Sequence, residues 1–87
     1  MKLVPLRQAQ MKWLNVLKQK NLSSMSLWTY KKDRFVRFEK EGDQCFLVES
    51  GYVNQRVQLD AKTGKKTLKE AFGREFPRST RLYLQED

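Results

Sequence analysis

The chain has 87 residues and a mass of 10.4 kDa, enough for one domain (residues 1–87) with a single modest core. It contains 18 Lys and Arg against 10 Asp and Glu, which gives a net charge of +8 at pH 7. With one Cys and no His, the composition excludes an internal disulfide framework and the usual zinc and haem ligand sets.

The charge is distributed unevenly along the chain. Residues 1–32 carry seven basic side chains and no acidic one, residues 33–60 have a net charge of −2, and residues 61–87 have a net charge of +3. Two basic ends predict a directional field if they meet in space, which favours a polyanionic partner. Basic residues interrupt the apolar stretch 3–22, so neither a membrane span nor a signal peptide is predicted, and we expect a soluble, cytoplasmic protein.

A first helix is predicted from Pro5 to about Lys20, ending near Asn21. Proline is tolerated in the first helical turn, and the apolar residues that follow recur at helical spacing. Trp13 is expected to be the main core anchor of this helix. Its predicted apolar side consists of Leu6, Ala9, Trp13, Leu14, Val16 and Leu17.

After Ser23 and Ser24 the apolar pattern changes to alternation, which is typical of β-strands. Turn residues, among them Gly42 and Gly51, separate the alternating runs. The pattern predicts an antiparallel meander of four strands. These strands cover residues 26–31, 34–39, 44–49 and 52–60.

Residues 61–66 form a predicted basic loop, and a second helix follows it. Thr67 and Glu70 have the spacing of a capping box, so this helix is expected to begin at Thr67 and to end before Pro77. Residues 79–84 alternate again and predict a fifth strand. The predicted fold is a single α+β domain in the order α-β-β-β-β-α-β: an N-terminal helix, a four-stranded meander, a short helix and a C-terminal strand.

The two faces of the meander depend on its turns. In the first hairpin we expect Phe38 opposite Cys45, and Val36 opposite Leu47. A three-residue loop at 49–51 with a left-handed Gly51 would give one wholly apolar face, and we prefer it for that reason. That face is Val36, Phe38, Cys45, Leu47, Val53 and Val57, and the reverse face is Phe35, Arg37, Phe46, Tyr52 and Arg56. An even-numbered loop would instead group Val36, Phe38, Tyr52 and Arg56.

In either register one sheet face combines aromatic and Arg side chains. Such a face suits single-stranded nucleic acid, because bases stack on flat rings and guanidinium planes. The predicted platform is Phe35, Phe46 and Tyr52 with Arg37 and Arg56 beside it, and Trp28 is a further stacking candidate. The alternative is that Phe35 and Phe46 are core residues under a helix.

Two basic clusters accompany this face. Lys62, Lys65 and Lys66 surround Gly64, where exposed backbone N–H groups would add to an anion site. Arg78 and Arg81 flank a Ser-Thr pair, and their guanidinium groups suit phosphate and protein carboxylates equally well.

Catalysis is not predicted, because a chain without His has no Ser–His or Cys–His pair and contains neither HExxH nor GxSxG. The spacing of the acidic residues predicts no metal site, and Cys45 lies in an apolar run typical of a core thiol. We therefore predict a non-enzymatic nucleic-acid-binding module without cofactor or small-molecule substrate, for single-stranded or duplex DNA or RNA. The alternative is a protein-interaction module, an adaptor or inhibitor, that docks its basic surface on an acidic protein.

Overall fold

The computed structural model describes residues 1–19 and 21–86. It is a small α+β domain with a six-stranded antiparallel sheet and two α-helices, which confirms the predicted class. The strands are β1 (Lys2–Pro5), β2 (Ser24–Trp28), β3 (Phe35–Glu41), β4 (Gln44–Ser50), β5 (Gln55–Leu59) and β6 (Arg81–Glu86). The helices are α1 (Leu6–Leu14) and α2 (Gly64–Glu75), with a short 3-10 helix (Val16–Lys18) after α1.

The sheet order is β1-β6-β2-β3-β4-β5. The predicted four-strand meander is present as β2 to β5. The predicted order is wrong in one respect, because a strand precedes the first helix and the sheet has six strands rather than five. Strand β6 lies between β1 and β2, so the two ends of the chain pair in the sheet, with Lys2 opposite Leu84.

The N-terminal helix is shorter than predicted. It begins at Leu6 rather than Pro5, because Pro5 has extended backbone angles and pairs with Arg81 in the sheet. It ends at Leu14, and the 3-10 turn that follows leaves Leu17 36% exposed instead of in the core. The predicted end near Lys20 lies outside the described residues.

Both helices pack against the same face of the sheet. Their buried side chains form a single cluster with alternate residues of the strands. Trp13 is fully buried, and its indole Nε1 donates a hydrogen bond to the carbonyl oxygen of Leu68 at 2.8 Å. One side chain of α1 therefore fills the core and ties α1 to α2. The buried apolar residues of the sheet are Val4, Met25, Leu27, Val36, Phe38, Leu47, Leu59, Leu82 and Leu84.

The hairpin register is shifted from the predicted one. Phe38 pairs with Leu47 instead of Cys45, and Val36 pairs with Glu49 instead of Leu47. The two-residue loop is formed by Gly42, which has a left-handed φ of 60°, and Asp43. Because the shift keeps the alternation in phase, Val36, Phe38 and Leu47 lie on the core face as preferred, with Cys45 and Val57 half-buried against it, but the face is not wholly apolar, because it also carries the buried Glu49.

The next connection is longer than predicted. Glu49 pairs with Gln55, so residues 50–54 form the loop, and Tyr52 and Val53 lie in it rather than in a strand. This loop has an odd number of residues, as the preferred three-residue loop has, and the faces therefore stay in phase. Gly51 has a positive φ of 159°, which residues other than glycine rarely adopt, but it lies outside the left-handed helical conformation expected for it.

Helix α2 begins three residues earlier than the predicted capping box. Thr67 donates its hydroxyl to the carbonyl oxygen of Thr63 within the first turn, instead of capping the helix. The turn before the helix is held by Asp60, whose carboxylate accepts hydrogen bonds from the backbone N–H of Lys62 and Thr63 at 2.8 and 2.6 Å and whose carbonyl oxygen accepts the N–H of Gly64 at 2.9 Å. The hydrogen bonds to the carboxylate, chiefly those from Thr63, hold the pKa of Asp60 below its ordinary value.

Gly51 is required by the close packing of its loop against α2. A Cβ atom at Gly51 would collide with the Glu75 carboxylate and would lie 2.8 Å from Cγ of Arg34. The Glu75 carboxylate accepts hydrogen bonds from the backbone N–H of Tyr52 and Val53 at 3.1 and 3.2 Å. The loop therefore cannot move away without breaking both bonds.

We expect Gly51→Ala to destabilise the protein by about 1–3 kcal/mol, as overpacking of a tight site does. The matched control is Gly73→Ala in α2, where a Cβ meets nothing within 4 Å. That control should be stabilised by about 0.5–1 kcal/mol, because alanine is the better helix former. Thermal unfolding of both variants measures the difference, and an unchanged melting temperature for Gly51→Ala would contradict this packing.

Candidate functional site

Three aromatic side chains form a row across the sheet face opposite the helices. Pairing places Tyr83 of β6 beside Trp28 of β2, and Trp28 beside Phe35 of β3. Trp28 and Phe35 stack with their ring centroids 4.4 Å apart, and all three side chains are half-buried. We call Tyr83, Trp28 and Phe35 the aromatic row. Neighbouring strands lie about 4.8 Å apart, so the row extends over roughly 10 Å of the sheet.

Small residues in β2 shape this face. Ser24 and Ser26 are 8% and 3% exposed, because the large side chains next to them lean over them. The indole Nε1 of Trp28 donates to the Ser26 hydroxyl at 3.1 Å, and a guanidinium N–H of Arg37 donates to the Ser24 hydroxyl at 3.5 Å. The orientation of Trp28 is thus fixed by its own strand.

The predicted residues Phe46, Arg37 and Arg56 also lie on this face, towards the β3–β4 hairpin. Arg56 lies over the Phe46 ring at 4.0 Å from its centroid. It also contacts Glu41 at 3.2 Å and Glu39 at 3.8 Å, while Arg37 lies 3.8 Å from Glu39. This part of the face is therefore covered by Arg56 and neutralised by carboxylates of the same chain.

Tyr52 does not join the sheet face. It lies in the loop 50–54 with 69% of its surface exposed, and the guanidinium of Arg34 lies 4.6 Å from its ring centroid. The sequence prediction that placed Tyr52 beside Arg56 on a strand is wrong, because the strand begins only at Gln55.

A basic cleft of about 570 Å³ adjoins the end of the aromatic row. One wall is the β2–β3 turn, residues 29–34, and the other is the α2–β6 connection, residues 78–81. Four basic side chains line the cleft together with one acidic one. These are Lys31, Arg34, Arg78 and Arg81, and Asp33.

The first wall is held by Thr29. Its hydroxyl donates to the Asp33 carboxylate at 2.6 Å, and this bond is the main reason that the pKa of Asp33 is below its ordinary value. The same hydroxyl accepts the backbone N–H of Asp33 at 3.2 Å. Lys32 adopts a left-handed φ of 60° in this turn, and its ammonium lies over the Tyr83 ring at 4.7 Å. Tyr30 stacks on Tyr83 at 6.0 Å, so the turn and the aromatic row are continuous.

The second wall is anchored in the core. Phe76 is 2% exposed and packs edge-on against Phe72 with a centroid distance of 5.3 Å. The backbone N–H of Leu6 donates to the carbonyl oxygen of Thr80 at 2.9 Å. The predicted residues Arg78 and Arg81 are exposed on this wall, on either side of the Ser-Thr pair.

The lysines of the predicted basic loop lie far from this cleft. Lys65 and Lys66 belong to the first turn of α2, and Arg78 follows the other end of that helix. The anion site predicted there also meets a competitor, because the Asp60 carboxylate already accepts the N–H groups of Lys62 and Thr63. The structure therefore brings Arg78 and Arg81 together and separates them from Lys62, Lys65 and Lys66.

A buried carboxyl pair lies beneath the loop 50–54. Glu49 of β4 and Glu75 of α2 are 1% and 0% exposed, and their carboxyl groups share a hydrogen bond. Burial and, after it, the neighbouring Glu49 raise the pKa of Glu75. Burial acts in the same direction at Glu49, but the hydrogen bonds from Arg74, Glu75 and Gln55 outweigh it and lower the pKa of Glu49. The pair joins β4, the loop and α2.

Four residues of the site were not identified from the sequence as binding residues: Lys31, Lys32, Arg34 and Tyr83. The signal for Tyr83 was present, because strict alternation along β6 sets Tyr83 opposite the buried Leu82 and Leu84. No local pattern shows that residues 29–34 and 78–81 form two walls of one cleft, because they are about 45–50 positions apart in the chain.

No family model matches this chain, and no similar curated protein or solved structure was found. Within residues 1–19 and 21–86, neither helix has the length and the apolar run needed to cross a bilayer. The described residues also contain no cluster of three or more Cys, Asp and Glu side chains placed to hold a metal ion.

Proposed function

We propose that this protein is a non-enzymatic nucleic-acid-binding module that binds single strands on the open face of its sheet. The observation that carries the proposal is the aromatic row, which lies on the face opposite both helices and is half-exposed at each of its three rings. A row of flat rings beside unpaired cations matches the requirement for stacked bases and a tracked backbone.

The charge distribution favours nucleic-acid binding at the end of the sheet where the aromatic row adjoins the basic cleft. Among the described residues, Lys31, Lys32, Arg78 and Arg81 have no carboxylate within 4 Å, whereas Arg37 and Arg56 do. In the cleft, fewer carboxylates of the protein compete with phosphates for the basic side chains than at the β3–β4 hairpin. The strand is therefore expected to run along the aromatic row towards the basic cleft.

We expect Trp28→Leu to weaken the binding of a labelled oligothymidylate by about 5- to 150-fold, the equivalent of 1–3 kcal/mol for a lost stack. The matched control is Phe46→Leu, which removes a ring from the same sheet face but one already covered by Arg56. Its affinity should change less than about twofold by this reasoning. Fluorescence anisotropy at two salt concentrations gives the affinities, and circular dichroism verifies folding.

The same titration with single-stranded RNA and with duplex DNA identifies the class of nucleic acid. Affinity should fall with salt at a slope of about −0.7 in log units for each phosphate neutralised on a single strand. A protein that binds none of the three nucleic acids at low salt would overturn the proposal. The basic surface would then point to an acidic protein partner.

A further inference from the structure

We infer that the basic cleft between residues 29–34 and 78–81 is a binding site for a phosphate monoester group. This site is separate from the aromatic row and does not depend on stacking. The inference rests on the charge of the cleft, on an unsatisfied donor in its wall and on the construction of the β2–β3 turn.

The charge of the cleft is strongly unbalanced. It has four basic residues and one acidic residue, 4 − 1 = +3, in about 570 Å³. The single acid, Asp33, accepts the Thr29 hydroxyl and so is held on the turn rather than paired with a cation. A phosphate monoester carries a charge of about −1.5 to −2 at pH 7 and offers three acceptor oxygens, which suits several cations that face one space.

Arg34 supplies the unsatisfied donor. Its Nε is buried and has no hydrogen-bond partner among the described residues. A buried N–H without an acceptor is costly, and in native proteins such a group is normally satisfied by a ligand or water. Arg34 lines the cleft with its Cγ beside Gly51 and its guanidinium over the Tyr52 ring, and an anion in the cleft accepts from the buried Nε only after a shift of this side chain.

The turn that carries Lys31 is built in a strained way. Lys32 has a left-handed φ of 60°, where a glycine or asparagine would be favoured. Its backbone N–H donates to the carbonyl oxygen of Thr29 at 2.8 Å, which holds the strained conformation. This bond fixes the turn from which Lys31 lines the cleft, whereas the Lys32 ammonium itself lies over the Tyr83 ring.

Inorganic phosphate titrated into the ¹⁵N-labelled protein should shift the backbone amides of residues 29–34, 79 and 80 along saturating curves. In the double variant Arg78→Gln with Arg81→Gln, the affinity for phosphate should fall at least about tenfold, because two of the four cations are lost. The matched control is Lys65→Gln with Lys66→Gln, which removes the same charge at the other end of α2 and should change the affinity less than about twofold. All four side chains are exposed, so both variants are expected to fold.

Two further ligands distinguish the source of the phosphate. If a nucleoside 5′-monophosphate binds no tighter than inorganic phosphate, the cleft recognises the phosphate group alone. If a 5′-phosphorylated oligothymidylate binds tighter than its 5′-hydroxyl form, and Arg78→Gln with Arg81→Gln removes that difference, the ligand is the end of a strand. Either result supports the site.

Shifts that increase linearly without saturation, or equal losses in the two double variants, would overturn the inference, because both indicate only general screening. Its failure is distinguishable from failure of the proposed function. Saturable phosphate binding without oligonucleotide binding leaves the cleft and removes the nucleic-acid proposal. Oligonucleotide binding that is weakened by Trp28→Leu, with no saturable phosphate binding, supports the nucleic-acid proposal and removes the phosphate site in the cleft.

Discussion

Trp13→Ala is expected to destabilise the protein by about 3–5 kcal/mol, which is the usual loss when a fully buried Trp is truncated. Trp13 is 0% exposed and sits in the cluster that joins both helices to the sheet. Small domains have about 5–15 kcal/mol of stability in total, and a chain of 87 residues is expected near the low end. The variant should therefore be largely unfolded or should melt far below the wild type.

Two controls separate the packing of Trp13 from its hydrogen bond. Trp13→Phe removes the Nε1 donor to the Leu68 carbonyl together with part of the ring system but keeps most of the apolar volume, so its loss should be smaller. Met11→Ala changes a residue of the same helix that is 61% exposed, and its effect should lie within about 0.5 kcal/mol. Urea unfolding followed by circular dichroism measures all three. Equal losses for Trp13→Ala and Met11→Ala would show that α1 does not pack as described.

The sequence predicts which residues share a face of the sheet better than it predicts which residues pair across neighbouring strands. Both the predicted and the observed partner of Phe38 place the same residues on the core face, because alternation has a period of two. The pairing depends on which two residues turn the hairpin, and Lys40 to Asp43 allow more than one choice. Most residues of the open face were therefore predicted, but the pairs that they form across neighbouring strands were not.

Elements that depend on distant pairing could not be predicted. Residues Lys2–Pro5 are too few to give a strand pattern, and they form β1 because β6, almost 80 residues later, supplies the hydrogen bonds. The insertion of β6 between β1 and β2 also places Tyr83 next to Trp28. Because both depend on contacts between residues that are distant in the sequence, the aromatic row and the basic cleft could be identified only from the folded structure.

The helix ends were mispredicted for a local reason. Thr67 and Glu70 match the capping box, but Asp60 folds residues 60–63 into a turn by accepting the N–H groups of Lys62 and Thr63, and the helix follows that turn from Gly64. The position of this turn is decided by where the preceding strand ends, at Leu59. That position is set by tertiary pairing with Cys45.

Arg74→Leu is expected to cost about 2–3 kcal/mol of unfolding free energy, because it leaves the carboxylate of Glu49 buried without its cation. Arg74 donates two hydrogen bonds to Glu49, at 2.7 and 3.0 Å, and the Glu49 side chain is 0% exposed. Removing one partner of a buried pair usually costs about 3–5 kcal/mol. The Arg74 side chain is 38% exposed, so water can reach part of the vacated space and lower the loss.

The pH dependence of stability provides the sharper test, because the substitution should change the sign of the contribution from Glu49. In the wild type the pKa of Glu49 is lowered, so its contribution is present above its unfolded pKa and is lost as the pH falls through the folded value. Without Arg74, burial dominates and raises the pKa of Glu49 above its unfolded value. Its contribution is then largest below the unfolded pKa and is lost as the pH rises through the folded one.

Arg74→Leu should therefore gain stability relative to the wild type as the pH is lowered from about 7 towards 5, with the gap measured by urea unfolding at each pH. The double variant Arg74→Leu with Glu49→Gln removes the buried charge together with its partner. It should recover much of the loss and remove the Glu49 contribution to the pH dependence. Glu75 keeps its raised pKa in the wild type through burial and Glu49, so the double variant also lowers the pKa of Glu75. A gap between Arg74→Leu and the wild type that stays constant with pH would mean that Arg74 does not hold Glu49 in its charged form.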